Sequence, residues 1–340
     1  MRARCYVRAM SADPLRAAPG AADEPAVSSQ VAAVDGPGTG PVVAAIDIGG
    51  TKMAAAVVDG SGRVLVEDRA PTHGTGPEGL FATLGDLVEG TIARSPEVPT
   101  VLGVGCGGPM TLGGEQVSPL NIPQWRGFPL RARLAERFER PTFVDNDAKA
   151  LALGEGWVGA ARDVCNYLAM VVSTGVGGGI VLDGRLLDGA EGNAGHLGHV
   201  IVEPKGRRCA CGARGCLEAE VSGTGIAAAT GRPAAEAPHA VRVRTGRLVG
   251  RAVGSIANLL DLRLAVVAGS VALGYGDTFF DAANSELAQV ARLDFSRGAR
   301  IVASGCGRHG PLLGAAAVAR AGMAGREGAG MAGREGAGPG

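Results

Sequence analysis

The feature that most constrains the fold is a dense group of histidines and cysteines within residues 189–218, GAEGNAGHLGHVIVEPKGRRCACGARGCLE. Three cysteines form a C-x-C-x4-C pattern, and a histidine lies ten residues before the first of them. Three thiolates and one imidazole make a closed tetrahedral zinc site. Its predicted ligands are His199, Cys209, Cys211 and Cys216. The alternatives are small buried apolar residues or a disulfide. Seven cysteines in 340 residues do not resemble a secreted disulfide scaffold, so the sequence favours metal binding in a reducing compartment.

A zinc ion with four protein ligands has no open position for water, so the predicted site is structural. The groups on its flanks indicate what it organises. His196 and His199 precede a short predicted strand, VIVEP, and Glu218 follows the last cysteine. A small hydroxylated ligand could bind to these polar side chains. We therefore interpret the zinc loop as a structural element that holds the polar groups of a substrate pocket in place.

Charge and hydropathy argue against several classes of protein. The chain has 33 basic and 33 acidic residues, and this balance argues against a nucleic-acid partner held by a basic face. No apolar run reaches the roughly 18 residues of a membrane span, and the N-terminus has no signal-peptide pattern. We expect a cytoplasmic enzyme with neither a membrane nor a nucleic-acid partner.

Composition also predicts the domain boundaries. Residues 1–41 are rich in Ala, Pro, Gly and Ser without periodicity, which predicts a disordered leader. The octapeptide MAGREGAG occurs twice in residues 323–340, which predicts a disordered low-complexity tail. Between them we expect an N-terminal α/β domain at residues 42–149, a C-terminal α/β domain with the zinc loop at 150–309, and a closing helix at 310–322.

Two glycine-rich segments each follow a predicted strand. DIGGTK ends the strand predicted at residues 42–48, and STGVGGGI follows the strand predicted at 167–172. Glycine lets backbone N–H groups approach an anion, and Asp47 could hold hydrated Mg²⁺. A plain β-turn is the alternative for either segment alone, but two such turns suggest a nucleotide held across a cleft. The candidate contacts are Asp47, Gly49, Gly50, Thr51, Lys52, Thr174, Gly175, Gly177, Gly178 and, in a third turn after a strand at 264–268, Gly269.

Two further loops carry polar groups. The strand predicted within residues 141–147 ends in Asp-Asn-Asp before a helix at 148–157. Helix capping explains one of these residues, and an aspartate at a strand tip is a candidate general base. The loop NIPQW, which begins with Asn121, is typical of either a carbohydrate-facing loop or a packed surface loop. Further helices are predicted at 78–93, 129–138 and 246–262, and a late strand at 300–303.

Taken in order, DIGGTK, NIPQW, DNDA with ALGE, STGVGGGI, AG-x-LGH and C-x-C-x4-C-LE resemble the motifs of the ROK family (repressor, open reading frame, kinase) of sugar kinases. The resemblance covers about residues 42–321. It implies an actin-like (ribonuclease H-like) ATPase fold of two α/β domains around a cleft. It also implies a homodimer, ATP, Mg²⁺ and structural Zn²⁺ as cofactors, and phosphoryl transfer from ATP to a hexose.

Carried over residue by residue, the resemblance makes Asp147 the base that takes the proton from the attacking sugar hydroxyl. Asn146 beside it would hold the sugar, and Glu218 would accept from a sugar hydroxyl. His199 would be a zinc ligand and, through its other ring nitrogen, a neighbour of the sugar. Asn121 and His196 complete the predicted sugar site.

The sequence departs from the family pattern at three places, of which the first bears on sugar preference and the second on the nucleotide-side domain or activity. His196 stands where the family usually has glutamate, residues 231–246 look short by a helix, and Ala268 stands where glycine is common. Glucose is the leading predicted substrate. The alternatives are an N-acetylglucosamine or N-acetylmannosamine kinase, or a catalytically weak sugar-binding or regulatory ROK protein. The leader has no helix-turn-helix pattern, which disfavours DNA binding.

Overall fold

A computed structural model of the chain describes residues 40–335. The predicted leader therefore lies outside the described residues except for its last two positions, as do residues 336–340 of the predicted tail. The described residues form two five-stranded sheets with helices on their faces. The predicted fold class, two α/β domains of the actin-like ATPase fold, is confirmed.

The first sheet has the strand order β3-β2-β1-β4-β5. Its strands are β1 (Val43–Ile48), β2 (Lys52–Val58), β3 (Val64–Pro71), β4 (Val101–Cys106) and β5 (Thr142–Asn146). β1 and β4 are apolar along almost their whole length and are buried on both faces, as expected of strands covered by helices on both sides. The carboxyl ends of β1, β4 and β5 lie side by side because these three strands are parallel.

The second sheet repeats this topology. Its order is β10-β9-β6-β7-β8, with strands β6 (Tyr167–Val172), β7 (Val176–Leu182), β8 (Arg185–Leu186), β9 (Leu264–Ala268) and β10 (Arg300–Ala303). In both sheets two antiparallel hairpins are followed by two parallel strands on the other side of the first strand. The turn between β6 and β7 is therefore the structural equivalent of the turn between β1 and β2. The bounds predicted for β6, β9 and β10 are confirmed.

Nine α-helices are described within residues 40–335. They are α1 (Gly76–Ala93), α2 (Leu130–Phe138), α3 (Asp147–Trp157), α4 (Leu217–Val221), α5 (Gly223–Thr230), α6 (His239–Leu260), α7 (Ser270–Tyr275), α8 (Asp277–Val290) and α9 (Gly310–Glu335). α1 and α2 share an apolar core with the first sheet, and α6 and α8 share one with the second. None of these helices is both long enough and apolar enough to cross a membrane.

Helices α3 and α9 lie between the two sheets. Tyr167 of β6 donates its hydroxyl to the Ala152 carbonyl of α3 at 2.7 Å, whereas α9 packs on β1 and β4. The two helices approach closely because each has a glycine at the contact: a Cβ atom on Gly154 would lie 3.0 Å from the Cα of Gly314. The buried Glu155 carboxylate accepts from the Gly305 N–H at 3.0 Å, which ties α3 to the loop before α9.

Three sequence predictions about these elements are wrong. VIVEP is not a strand; Ile201 makes only an isolated bridge to Cys216, because the chain turns at once into the glycine-rich loop. Helix α6 begins at His239, seven residues before the predicted start, so residues 239–246 of the segment that looked short belong to this helix. The closing helix does not end at residue 322 but continues to Glu335. The octapeptide contains Ala, Met, Arg and Glu, which have high helix propensity, beside three glycines, which have low helix propensity.

Candidate functional site

The first glycine turn joins β1 to β2 and has its central residues at the surface. The Gly49 N–H donates to the Lys52 carbonyl at 3.1 Å, and the Thr72 hydroxyl donates to the Gly49 carbonyl at 2.7 Å. These two bonds fix the conformation of the turn. Gly50, Thr51 and Lys52 are exposed. The turn is therefore prearranged at the surface, where an anion can reach it.

The equivalent turn of the second sheet, Ser173 to Gly175, is supported by a helix that begins beside it. The Gly223 N–H donates to the Ser173 carbonyl at 2.7 Å, and the Thr224 hydroxyl donates to the Thr174 carbonyl at 2.9 Å. Both donors belong to the first turn of α5, whose N-terminal end carries partial positive charge. Sequence reasoning missed Gly223 and Thr224, because nothing in their local pattern signals contact with a turn about 50 residues earlier.

Gly177 and Gly178 lie in strand β7, beyond the turn in which we predicted them. A Cβ atom on Gly177 would lie 2.9 Å from the Cβ of Ala148, and one on Gly178 would overlap the side chain of Leu197. These glycines allow α3 and the zinc loop to pack closely on the two faces of β7. Their predicted contact with a nucleotide remains a prediction.

Gly269, at the end of β9, lies against the second turn. Its φ of 101° is in the left-handed region, and a Cβ atom there would overlap the Val172 carbonyl oxygen. The next residue, Ser270, forms a hydroxyl–hydroxyl hydrogen bond with Ser173 at 3.0 Å. Gly269 is thus required by both backbone conformation and space.

We expect Gly269→Ala to lower the free energy of unfolding by more than about 2 kcal/mol, because it combines backbone strain with a steric overlap. Urea unfolding measures this. Gly274→Ala is the matched control, because Gly274 lies in α7 with no atom within 4 Å of an added Cβ. Helix propensity should make that variant as stable as the unaltered protein or more so. Equal stability of the two variants would contradict the assignment of Gly269.

Two aspartates meet at the carboxyl ends of the first sheet's parallel strands. A Cβ atom on Gly105 would lie 4.0 Å from Oδ1 of Asp47 and 3.7 Å from the Cα of Asp147, so both residues lie over the same strand end. Burial, followed by the charge of Asp147, raises the pKa of Asp47 to about 7, although Lys52 and Arg69 oppose this. The proximity of two carboxylates favours a cation or a proton between them.

Asp147 is the first residue of α3 and is open to the cleft. The protein atoms around its carboxyl limit hydration and so raise its pKa, although the Ala148 N–H, donating at 2.8 Å, lowers it in part. Asn146 is the N-cap of α3: its side-chain oxygen accepts from the Ala148 N–H at 3.0 Å. Its amide nitrogen is therefore the group left to meet a ligand. The strand and helix place both predicted residues at the same point of the cleft.

Asp47→Asn should stabilise the protein in the absence of magnesium. The folded-state pKa of Asp47 is raised, so this group's contribution to stability is complete below about pH 4 and is lost as pH rises to about 7. Above pH 7 the ionised carboxylate is a net cost. We expect the variant to gain at least about 1 kcal/mol in free energy of unfolding at pH 8 and less at pH 5.

Urea unfolding at the two pH values, without added magnesium, checks this prediction. Asp59→Asn is the control, for which we expect a change in the free energy of unfolding of the opposite sign. Although some burial raises the pKa of Asp59, hydrogen bonds from Ser61 and Arg63 lower it overall, so loss of that carboxylate should destabilise the protein at pH 8. A loss of stability in Asp47→Asn at pH 8 would contradict the assignment.

Asn121 lies against the first glycine turn: a Cβ atom on Gly50 would lie 2.5 Å from the Cβ of Asn121. Its loop is held by a residue that sequence reasoning missed. One nitrogen of the Arg126 guanidinium donates to the carbonyls of Pro119 at 2.7 Å, Ile122 at 2.9 Å and Trp125 at 2.8 Å. Trp125 is buried against Phe128. The loop is thus packed, with Asn121 beside the turn, and the predicted contact of Asn121 with a sugar remains a prediction.

The four predicted zinc ligands converge. Their donor atoms all lie within 4.8 Å of one another. The Nδ1 atom of His199 is 3.8 Å from Sγ of Cys209, and the Sγ atoms of Cys211 and Cys216 are 3.7 Å apart. Tetrahedral zinc with Zn–S bonds of about 2.3 Å separates sulfurs by about 3.8 Å. The donor set fits one zinc ion.

The flanks of this cluster face the second glycine turn. One carboxylate oxygen of Glu218, in α4, accepts from the Val176 N–H at 2.9 Å, just after the turn. The exposed rings of His196 and His199 lie with their centroids 6.0 Å apart. Since Nδ1 of His199 faces the thiols, its Nε2 is the nitrogen directed away from the metal set. The predicted sugar residues therefore fall into two groups, one at each glycine turn.

Comparison with known proteins gives this arrangement a context. The model of the ROK family matches residues 43–321. A glucokinase from Thermotoga maritima is 46% identical over 127 residues, covering 36% of this chain and 40% of the relative. An N-acetylmannosamine kinase from Citrobacter koseri is 40% identical over 175 residues, covering 47% of this chain and 60% of the relative. The chain thus spans 60% or less of the length of these curated relatives.

Solved structures are similar over most of the chain, and one of them has a bound sugar and a bound nucleotide analogue. It is a ROK family glucokinase from Streptomyces griseus in complex with glucose and AMPPNP. The TM-score is 0.71 and the sequence identity 29%, and the match covers 82% of this chain and 99% of that one.

Proposed function

The chain belongs to the ROK family, and on that premise we propose that it is an ATP-dependent sugar kinase that transfers the γ-phosphoryl group of ATP to a hexose. Glucose, giving glucose 6-phosphate, is the leading substrate. The observation that carries the proposal is the meeting of Asp47 and Asp147 at one strand end, between two equivalent glycine turns. A glucokinase of similar fold binds glucose together with AMPPNP, an ATP analogue, which supports the same pair of ligands here.

In this proposal Asp147 is the catalytic base. It accepts the proton of the attacking sugar hydroxyl, and its raised pKa makes it a stronger base than an ordinary carboxylate. Asn146 would hold the sugar through its free amide nitrogen. On the opposite wall, Glu218 keeps one oxygen on the Val176 N–H and offers the other to a sugar hydroxyl. Phosphoryl transfer needs chiefly this positioning and charge stabilisation.

The glycine turns would bind the phosphates of ATP through their backbone amides. Gly50 and Thr51 supply one set, in a turn that the bond from the Gly49 N–H to the Lys52 carbonyl holds in shape, and Thr174 and Gly175, with Gly269 behind them, supply the other. Asp47 fits a magnesium ion, because its carboxylate lies beside a second one and so favours a cation. Bound magnesium would neutralise phosphate charge. We further propose that the protein acts in the cytoplasm as a homodimer.

N-acetylmannosamine is the second candidate substrate. The N-acetylmannosamine kinase relative matches a larger part of this chain than the glucokinase relative does. His196 is exposed beside the predicted sugar site, and an imidazole can donate to an acetamido carbonyl, which a carboxylate cannot do.

A panel of sugars tests the proposal. ADP release is measured with Mg²⁺ and ATP against glucose, mannose, fructose, N-acetylglucosamine and N-acetylmannosamine. Turnover with glucose at the highest kcat/KM supports the leading assignment, and a preference for an N-acetylhexosamine moves it to the second candidate. Absence of turnover with every sugar, from folded and zinc-loaded protein, contradicts the kinase proposal and favours a sugar-binding role.

A further inference from the structure

Lys149 is a buried lysine, two residues after Asp147, to which the mechanism above gives no role. Its side chain is only 4% exposed. The ammonium donates to Oδ1 of Asp188 at 2.6 Å and to the Gly192 carbonyl at 3.3 Å, and it lies 3.3 Å from Oδ1 of Asp145. A buried ammonium is costly unless several acceptors surround it, and here three do.

The acceptors of Lys149 come from both halves of the molecule. Asp145 is in β5 of the first sheet, whereas Asp188 and Gly192 lie in the loop that follows β8 of the second sheet. A second contact reinforces this bridge: a Cβ atom on Gly192 would lie 3.3 Å from a methyl carbon of Leu112, which precedes β5 in the first domain. The loop after β8 is therefore held to the first domain at the end of the strand that carries the catalytic residues.

This loop has little structure of its own. Within residues 187–195 it has neither helix nor strand, and Gly189, Gly192 and Gly195 all have positive φ, at 75°, 78° and 99°. Such a segment loses much backbone entropy when it becomes ordered. It leads directly to His196 and to the zinc ligand His199. The position of that wall of the proposed sugar site therefore depends on what fixes the loop.

We infer that Lys149 is a positioning residue that fixes the loop at residues 187–195 behind Asp147, so that the sugar-binding wall at His196 faces the base. The effect on sugar binding rests on the proposed kinase function, whereas the fixing of the loop by Lys149 does not. The ATP phosphates would meet the glycine turns and not this loop. Loss of the Lys149 bridge should therefore weaken sugar binding and spare ATP.

Two variants test this inference. Asp188→Ala removes the half-exposed partner and keeps Lys149 paired with Asp145. Lys149→Met combined with Asp145→Asn removes the bridge without leaving a buried charge unpaired; the asparagine oxygen can still accept from the Asn146 N–H, which donates to Asp145 at 2.7 Å. Lys205→Met, at an exposed lysine, is the control. The readouts are the KM values for sugar and for ATP, and hydrogen exchange of the amides in residues 187–196 without ligands.

The expected result is a rise of about fivefold or more in the KM for sugar in both variants, with the KM for ATP within about twofold of the unaltered protein. Loop amides should exchange at least about tenfold faster, while those of β9 do not change. Equal losses for sugar and ATP, or unchanged loop exchange, would overturn the inference. If the unaltered protein phosphorylates no sugar, the kinase proposal fails, and the exchange data alone decide whether Lys149 fixes the loop.

Discussion

Asp147→Asn should lower kcat for sugar phosphorylation about 10²–10⁴-fold, the usual contribution of a well-placed general base. The amide cannot accept the hydroxyl proton, yet it occupies the same space and can keep the hydrogen bond from the Ala148 N–H. Folding should not suffer. Because the pKa of Asp147 is raised in the folded state, ionisation of this group costs stability above its ordinary pKa, and a neutral amide removes that cost.

Steady-state kinetics, measured together with thermal unfolding and zinc content on the same protein, check this prediction. Asp163→Asn is the matched control: Asp163 follows α3 at an exposed position with φ of 63°, a conformation that asparagine tolerates. It should keep full activity. An Asp147→Asn protein that turns over sugar at the unaltered rate would move the catalytic base elsewhere. A protein that loses activity only because it unfolds or loses zinc would also contradict the assignment.

Cys216→Ser should remove both zinc and activity. Cys216 is fully buried, and α4, which carries Glu218, begins at the next residue. Loss of one thiolate from a four-ligand site lowers metal affinity steeply, and structural zinc binding is worth about 10–16 kcal/mol in zinc-finger peptides. Without the metal, His199 and Glu218 lose their common anchor. We expect about one zinc per chain in the unaltered protein and almost none in the variant.

Elemental analysis of freshly purified protein, prepared without chelators, measures zinc directly. Cys306→Ala is the control, because Cys306 is a buried cysteine that lies outside the donor cluster. It should keep its zinc and lose at most modest stability. The zinc assignment would be contradicted if the unaltered protein held no zinc, or if a zinc-free Cys216→Ser protein phosphorylated sugar normally.

The parts of the fold and site that could be predicted from sequence are those with a local cause. The strands at residues 167–172, 264–268 and 300–303 are short apolar runs bounded by polar or glycine residues, and the structure has them at those positions. The cluster of His199 with three cysteines follows from ligand chemistry and short spacing. Local pattern alone wrongly predicted a strand at VIVEP, whose backbone follows the zinc loop and does not pair in a sheet.

The remaining features depend on contacts between distant residues. Thr224 bonds to Thr174 across 50 positions, and Arg126 acts through the carbonyls of its own loop. Lys149 is typical of a solvated helix residue in its sequence context, yet it is buried between two aspartates from different domains. The equivalence of the two sheets is also invisible in the sequence, because only their hairpin turns share a glycine pattern.

The most direct test of the central claim is to follow the labelled γ-phosphate of ATP. The protein is incubated with Mg²⁺, γ-labelled ATP and glucose, and the products are separated. Our account predicts labelled sugar phosphate in amounts equal to the ADP formed, and almost none with Asp147→Asn. Label that appears only as inorganic phosphate, or equal sugar phosphate from both proteins, would contradict it.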